Sequence, residues 1–158
     1  MGTPFTDIYD LALIVIEDYR IDNLANADYQ SFLTYMRGLL MHGLPDFVGN
    51  LQSLDYTSQQ ETDTQTGETS IVYYFVNTLT SKEQSILAET IVYTWVQRLI
   101  NDVRTFQPHL SVKEFKQLEI ANGIKQRSEY LDKLFEKLHY DITQYQLSDF
   151  SKLPFFGG

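Results

Sequence analysis

The sequence predicts a mainly α fold: a helical bundle of four to five helices with one protruding β-hairpin, inserted at 51–76, and an extended C-terminal tail. Three observations carry this. Apolar residues recur at three- and four-residue spacings over most of the chain. Two S/T-x-x-E boxes, Thr80 with Glu83 and Ser111 with Glu114, stand where helices should open. A single stretch, 70–76 (SIVYYFV), is dense in β-branched and aromatic residues. One helical domain is expected over 1–146, with the tail at 147–158.

The first helix is expected to start with Thr3 as N-cap and Pro4 at the first helical position. Phe5, Ile8, Leu11, Ala12, Val15 and Ile16 form its apolar side, and it should end near Tyr19. Residues 20–28 read as a link. The second helix should begin at about Asp28, bury Phe32, Leu33, Met36, Leu39 and Leu40, and stop at Gly43 in a left-handed C-cap before Pro45. Then come two strands, 51–56 and 70–76, around a polar stretch at 57–69 with no apolar side chain. A hairpin loop usually has two to five residues, so this long tip is either disordered or used for binding; Thr66 and Gly67 mark a turn in it.

The Thr80 box opens a third helix running to about Arg104. Its apolar pairs repeat every four residues: Leu87 and Ala88, Ile91 and Val92, Trp95 and Val96, Leu99 and Ile100. That stripe is too broad for a surface helix, so this one is expected at the centre. The Ser111 box opens a short helix that Asn122 and Gly123 should kink or end. A last helix, about 124–145, repeats Ile124, Leu131, Leu138 and Tyr145 at intervals of seven.

Composition excludes several functions. The chain has 158 residues, with 12 Lys and Arg against 21 Asp and Glu, a net charge of −9. Without cysteine it has no disulfide, thiolate zinc site, iron–sulfur cluster or cysteine nucleophile. Its longest apolar run, 11–16 (LALIVI), is far short of the roughly 20 residues of a membrane span. With no basic N-terminal flank and no N-x-[ST] acceptor, the reading is a soluble protein folded inside a cell. Residues 1–80 hold eleven acidic and two basic side chains, whereas 81–158 hold ten of each. A wholly acidic half is a poor landing surface for nucleic acid. It suits a solvated face, or a passage where DNA slides without sticking.

No phosphate-binding glycine loop, dinucleotide fingerprint, nucleophile elbow or H-E-x-x-H pair is present. His42, His109 and His139 are far apart in sequence. Asp7 with Asp10, or Glu17 with Asp18, is better read as helix-end charge than as an acid–base pair. The cations of the last helices alternate with acids, unlike the one-signed face of a nucleic-acid binder. No catalytic, metal or cofactor residue is assigned. The candidate partner contacts are Phe150, Leu153, Pro154, Phe155 and Phe156 in the tail, and Tyr73, Tyr74 and Phe75 in the hairpin. An apolar tail left in water is a liability, so it either folds back on its own core or docks in a neighbour.

Four segments, PFTDIYDLALIVIEDYRID, FLTYMRGLLMHGLPDF, FVNTLTSKEQSILAETIVYTWVQRLINDV and HLSVKEFKQLEIANGIKQRSEYLDKLFEKL, follow one another along residues 4–138. Together they resemble small head–tail connector (neck or adaptor) proteins of tailed bacteriophages. The resemblance implies a mostly helical, non-enzymatic virion protein without cofactors, made in the host cytoplasm and resident in the neck. It implies a homo-oligomer, a ring commonly of twelve copies, which binds the portal protein on one side and a tail-side neck protein on the other. DNA passes through the ring without sequence-specific binding, and no membrane is involved. Hairpin and tail would be the arms that clasp neighbours or the portal. The alternative is another phage structural or assembly protein, a tail-completion or capsid-associated factor.

Overall fold

In the computed structural model, residues 2–47, 51–62, 64, 67, 69–106 and 114–148 are described, with side chains for all of these except 103–106 and 114–122. The chain runs α1 (Phe5–Leu13), α2 (Tyr19–Ala27), α3 (Tyr29–Gly43), a 3-10 turn (Leu44–Asp46), β1 (Tyr56–Thr62), β2 (Thr69–Phe75), α4 (Ser81–Phe106) and α5 (Glu114–Leu147). The protein is mainly helical with one two-stranded antiparallel hairpin, as expected.

α4 is the central helix, touching α1, α3 and α5. Its buried Ile86, Leu87, Ala88, Ile91 and Val92 join Phe5, Ile8 and Ala12 of α1, Met36 and Leu40 of α3, and Leu138 and Ile142 of α5 in one core. The expected capping box forms at its start. The Glu83 carboxylate accepts from the Thr80 amide at 2.6 Å, and the Glu83 amide donates to Thr80 Oγ1 at 3.3 Å. α5 runs antiparallel to α4, fixed by Lys82–Asp141 at 2.5 Å and by a Lys137–Glu89 ion pair.

Several local expectations are corrected. The first helix ends at Leu13, because Asp18 starts a new helix where a link was expected: its side chain accepts from the Arg20 amide at 3.0 Å. Thr3 caps nothing; its hydroxyl accepts from the Leu79 amide at 2.7 Å and ties the N-terminus to the entry of α4. Asp28 does cap α3, accepting from the Ser31 amide at 3.0 Å. Gly43, however, is right-handed (φ −92°), so no left-handed cap forms. A side chain is excluded there for another reason: a Cβ would lie 2.1 Å from Thr90 Cγ2 of α4. Asn122 and Gly123 do not interrupt α5, which is one helix of 34 residues. Ser111 of the second capping box lies outside the described residues.

Most of the polar stretch after Tyr56 is strand. Tyr56 pairs with Phe75 and Thr62 with Thr69, so the strands meet across 57–62 and the tip shortens to 63–68. All seven residues of β1 are exposed, which is why its sequence is polar. β2 packs on α1 and α3, and its far edge is occupied. The Phe75 amide donates to Thr3 O at 2.8 Å, and the Ile71 amide to Gln30 Oε1 at 3.0 Å. Gly67 has φ +73°, the left-handed conformation that suits the turn expected there.

Candidate functional site

The hairpin residues divide by their position on the pleat. Phe75 is fully buried, 4.5 Å from the Phe5 ring, so its expected role as a partner contact is corrected: it is a core side chain. Along β2 the buried side chains are Val72 and Phe75, and Phe75 faces α1. Tyr73 is half-buried, stacked on Phe5 and covered by the Arg37 guanidinium at 4.4 Å. Tyr74 is half-buried and donates its hydroxyl to Glu61 across the hairpin. Phe150, Leu153, Pro154, Phe155 and Phe156 lie outside the described residues.

Among the described residues the largest apolar exposure is elsewhere. In the 11–16 run only Ala12 and Ile16 are buried; Ile14 is 76% and Val15 54% exposed, followed by Tyr19 at 74%. The helix ends at Leu13, and the turn into α2 carries these side chains to the surface. Periodicity placed Val15 inside because it extended the first helix by more than a turn; Leu11, within the helix that forms, stands at the edge of its buried face. The signal that was there is density: six consecutive apolar residues are more than one helix face can bury. A second exposed set, Tyr130, Phe135 and Tyr140, lies on α5.

A cleft opens where α2, α3 and the C-terminal half of α4 meet. One part is a pocket of about 190 Å³ lined by Ile21 and Leu24 of α2, Tyr35 of α3, and Trp95 and Leu99 of α4, with Asp18, Arg20 and Asp102 at its margin. The other is a groove of about 440 Å³ between α3 and α4 that contains His42, Thr94 and Gln97. Tyr35 and Arg98 line both parts, with the guanidinium 5.0 Å from the ring centre. Arg20 grips Asp18 through two hydrogen bonds, 3.1 Å from Nε and 3.0 Å from Nη2. That grip holds the Asp18 carboxyl below the usual range. The Trp95 indole also faces Asp18 and adds slightly to the lowering, but without hydrogen-bond geometry, so its Nε1 is buried and unpartnered. Thr94 Oγ1, one residue earlier, is likewise buried without a partner.

The wholly buried carboxylate of Glu83 is a structural knot. Besides the Thr80 amide it accepts from the Thr80 hydroxyl at 2.8 Å, the Gln52 side chain at 2.9 Å and the Tyr145 hydroxyl. Tyr145 in turn accepts from the Leu51 amide at 3.0 Å. Burial, and then the hydrogen bond to Glu83, push the Tyr145 phenol up to about 12. The knot fastens the ends of α4 and α5 to the segment that enters the hairpin. Among the described residues, no group of three or more His, Asp or Glu is placed to hold a metal ion, and no helix is long and apolar enough to cross a membrane.

Comparison with protein-family models, with curated proteins and with solved structures returned no match to this chain.

Proposed function

We propose that this chain is a structural subunit of a phage neck, a head–tail connector that assembles with identical copies into a ring between the portal and the tail-side neck protein. The observation that carries the reading is the outward-facing turn at Ile14, Val15 and Tyr19. Single apolar side chains at a surface are ordinary, but a run of them marks a place where another protein sits. Exposed Tyr130, Phe135 and Tyr140 stand on different sides of α5, and the two regions differ in charge. Residues 5–27 carry five acids and one arginine, whereas 123–148 carry four acids and four cations. Contact between two unlike surfaces of successive copies is head-to-tail, and it closes into a ring when the rotation allows. The acidic half, facing inward, would let DNA pass without adhering. The resemblance over four segments supplies the virion setting, and the function is assembly rather than chemistry.

Sedimentation of the purified chain, alone and mixed with its portal protein, tests the reading, with negative-stain images of the product. Rings are expected. The double variant Ile14→Lys, Val15→Lys should keep its helical circular dichroism and fail to assemble. Monomers that persist at all concentrations and ignore the portal would overturn the reading.

A further inference from the structure

Beside the cleft between α2, α3 and α4 lie polar atoms that the chain itself leaves unsatisfied. Thr94 is only 8% exposed, and its hydroxyl oxygen has no partner. The buried indole N–H of Trp95 next to it has none either. Neither atom reaches the surface of the cleft, whose lining offers the Arg98 guanidinium and the rings of Tyr35 and Trp95 instead. The pocket beside Trp95, about 190 Å³, is below the range for drug-sized ligands but suits one aromatic side chain, since a cavity of about 150 Å³ accepts benzene. The Arg98 guanidinium, shared by pocket and groove, supplies a planar donor for a carboxylate immediately alongside that side chain.

We infer that this cleft receives the C-terminal segment of a second copy of the chain, with Phe150 in the pocket beside Trp95 and Asp149 on the Arg98 guanidinium. The inference rests on the self-assembly reading above and gives it a contact. The segment reads Asp149, Phe150, Ser151, Lys152, an acid next to an aromatic with a cation two residues on. Its acid meets Arg98 and His42, and its cation meets Asp102, while Asp18 is already neutralised by Arg20.

Chain geometry requires the donor to be another copy. Ser148 shares the groove at the start of α4 with Thr80, Lys82 and Glu83. Thr94 is fourteen residues beyond Thr80, roughly 20 Å at the helical rise. Phe150 follows Ser148 by two residues and reaches at most about 7 Å from it. Its own cleft is out of range.

Trp95 is the single tryptophan of the chain, so indole emission reports this cleft alone. A synthetic peptide of residues 147–158, titrated into the full-length chain at a concentration where it is monomeric, should shift that emission to saturation. The same peptide with Phe150→Ala should bind at least about tenfold more weakly. In the full-length chain, Arg98→Asp and Asp149→Arg should each weaken self-association by about tenfold or more, and the two together in one chain should restore it. Arg98 is exposed, so the variants are expected to fold, which circular dichroism checks. Self-association unchanged in both single variants would overturn the inference and leave the assembly reading standing. A chain that never associates but whose Trp95 answers the peptide supports the cleft and overturns the assembly reading. Silence in both measurements overturns both.

Discussion

The first turn of α4 and the turn at Thr94 treat buried polar groups in opposite ways. At the first turn Glu83 is wholly buried, and its carboxylate takes hydrogen bonds from Thr80, Gln52 and Tyr145. Three turns later the Thr94 hydroxyl oxygen and the indole nitrogen of half-buried Trp95 are buried without a hydrogen-bond partner. The neighbours make the difference. Around Glu83 the end of α5 and the segment before the hairpin close in from two sides. Beside Trp95 the α2–α3 corner stands away and leaves the pocket. A helix satisfied at one turn and unsatisfied at another is anchored by the first and available beside the second.

The strongest way to break the contrast is Glu83→Ala. It would strand the donors of Thr80, Gln52 and Tyr145, and a loss of about 3 kcal/mol is expected by urea unfolding. A loss below about 1 kcal/mol would mean that the knot is replaceable and that the two turns are alike. Gly43→Val comes next. Thr90 is buried and leaves no room for a side chain on α3, so overpacking should cost about 2 kcal/mol, read from the same transition.

Tyr145→Phe should cost about 1 kcal/mol at neutral pH. It should also flatten the alkaline limb of stability. The folded phenol titrates near 12 against 10.0 for the free group, so the folded state holds its proton more tightly. Its contribution is fully present below pH 10 and is lost as pH rises through 12. Tyr9, also raised by burial, contributes to that limb and should leave a residual slope. Thermal melts from pH 9 to 12 check this, and an unchanged slope would count against the Tyr145–Glu83 bond.

The smallest effect sharpens the comparison from the other end. Thr94→Val replaces an orphaned hydroxyl with a methyl of the same shape, so the isolated chain should gain up to about 1 kcal/mol. A loss there would show that Thr94 has a partner after all. The opposite signs of Glu83→Ala and Thr94→Val are the outcome that the two environments require.

Much of this was legible in the residues. The Thr80 box, the Asp28 start of α3, the central position of α4 and the β2 strand all follow from local chemistry, because the groups involved are close in sequence. Most failures came where a distant partner decides. One failure is local instead: residues 20–28 look like a polar link, yet the neighbouring Asp18 caps them as a helix. Thr3 looks like a cap, yet its hydroxyl goes to Leu79. The 57–62 stretch looks like a loop because β1 is exposed on both faces, and only pairing to β2 reveals the strand. Of the candidate contacts, Phe75 proved to be core, and the Trp95–Arg98 cleft was hidden within an apolar stripe.

By itself, then, the sequence determined the helical class, the helix openings and the exclusion of cysteine chemistry. These depend on spacing along the chain and on residue type, both written in the primary structure. Which apolar residues face out, which glycine must lack a side chain, and which buried polar atoms remain without partners were decided only by tertiary packing. Each depends on what a residue far along the chain brings to the same place: Thr90 against Gly43, Tyr145 against Glu83, and the α2–α3 corner against Trp95.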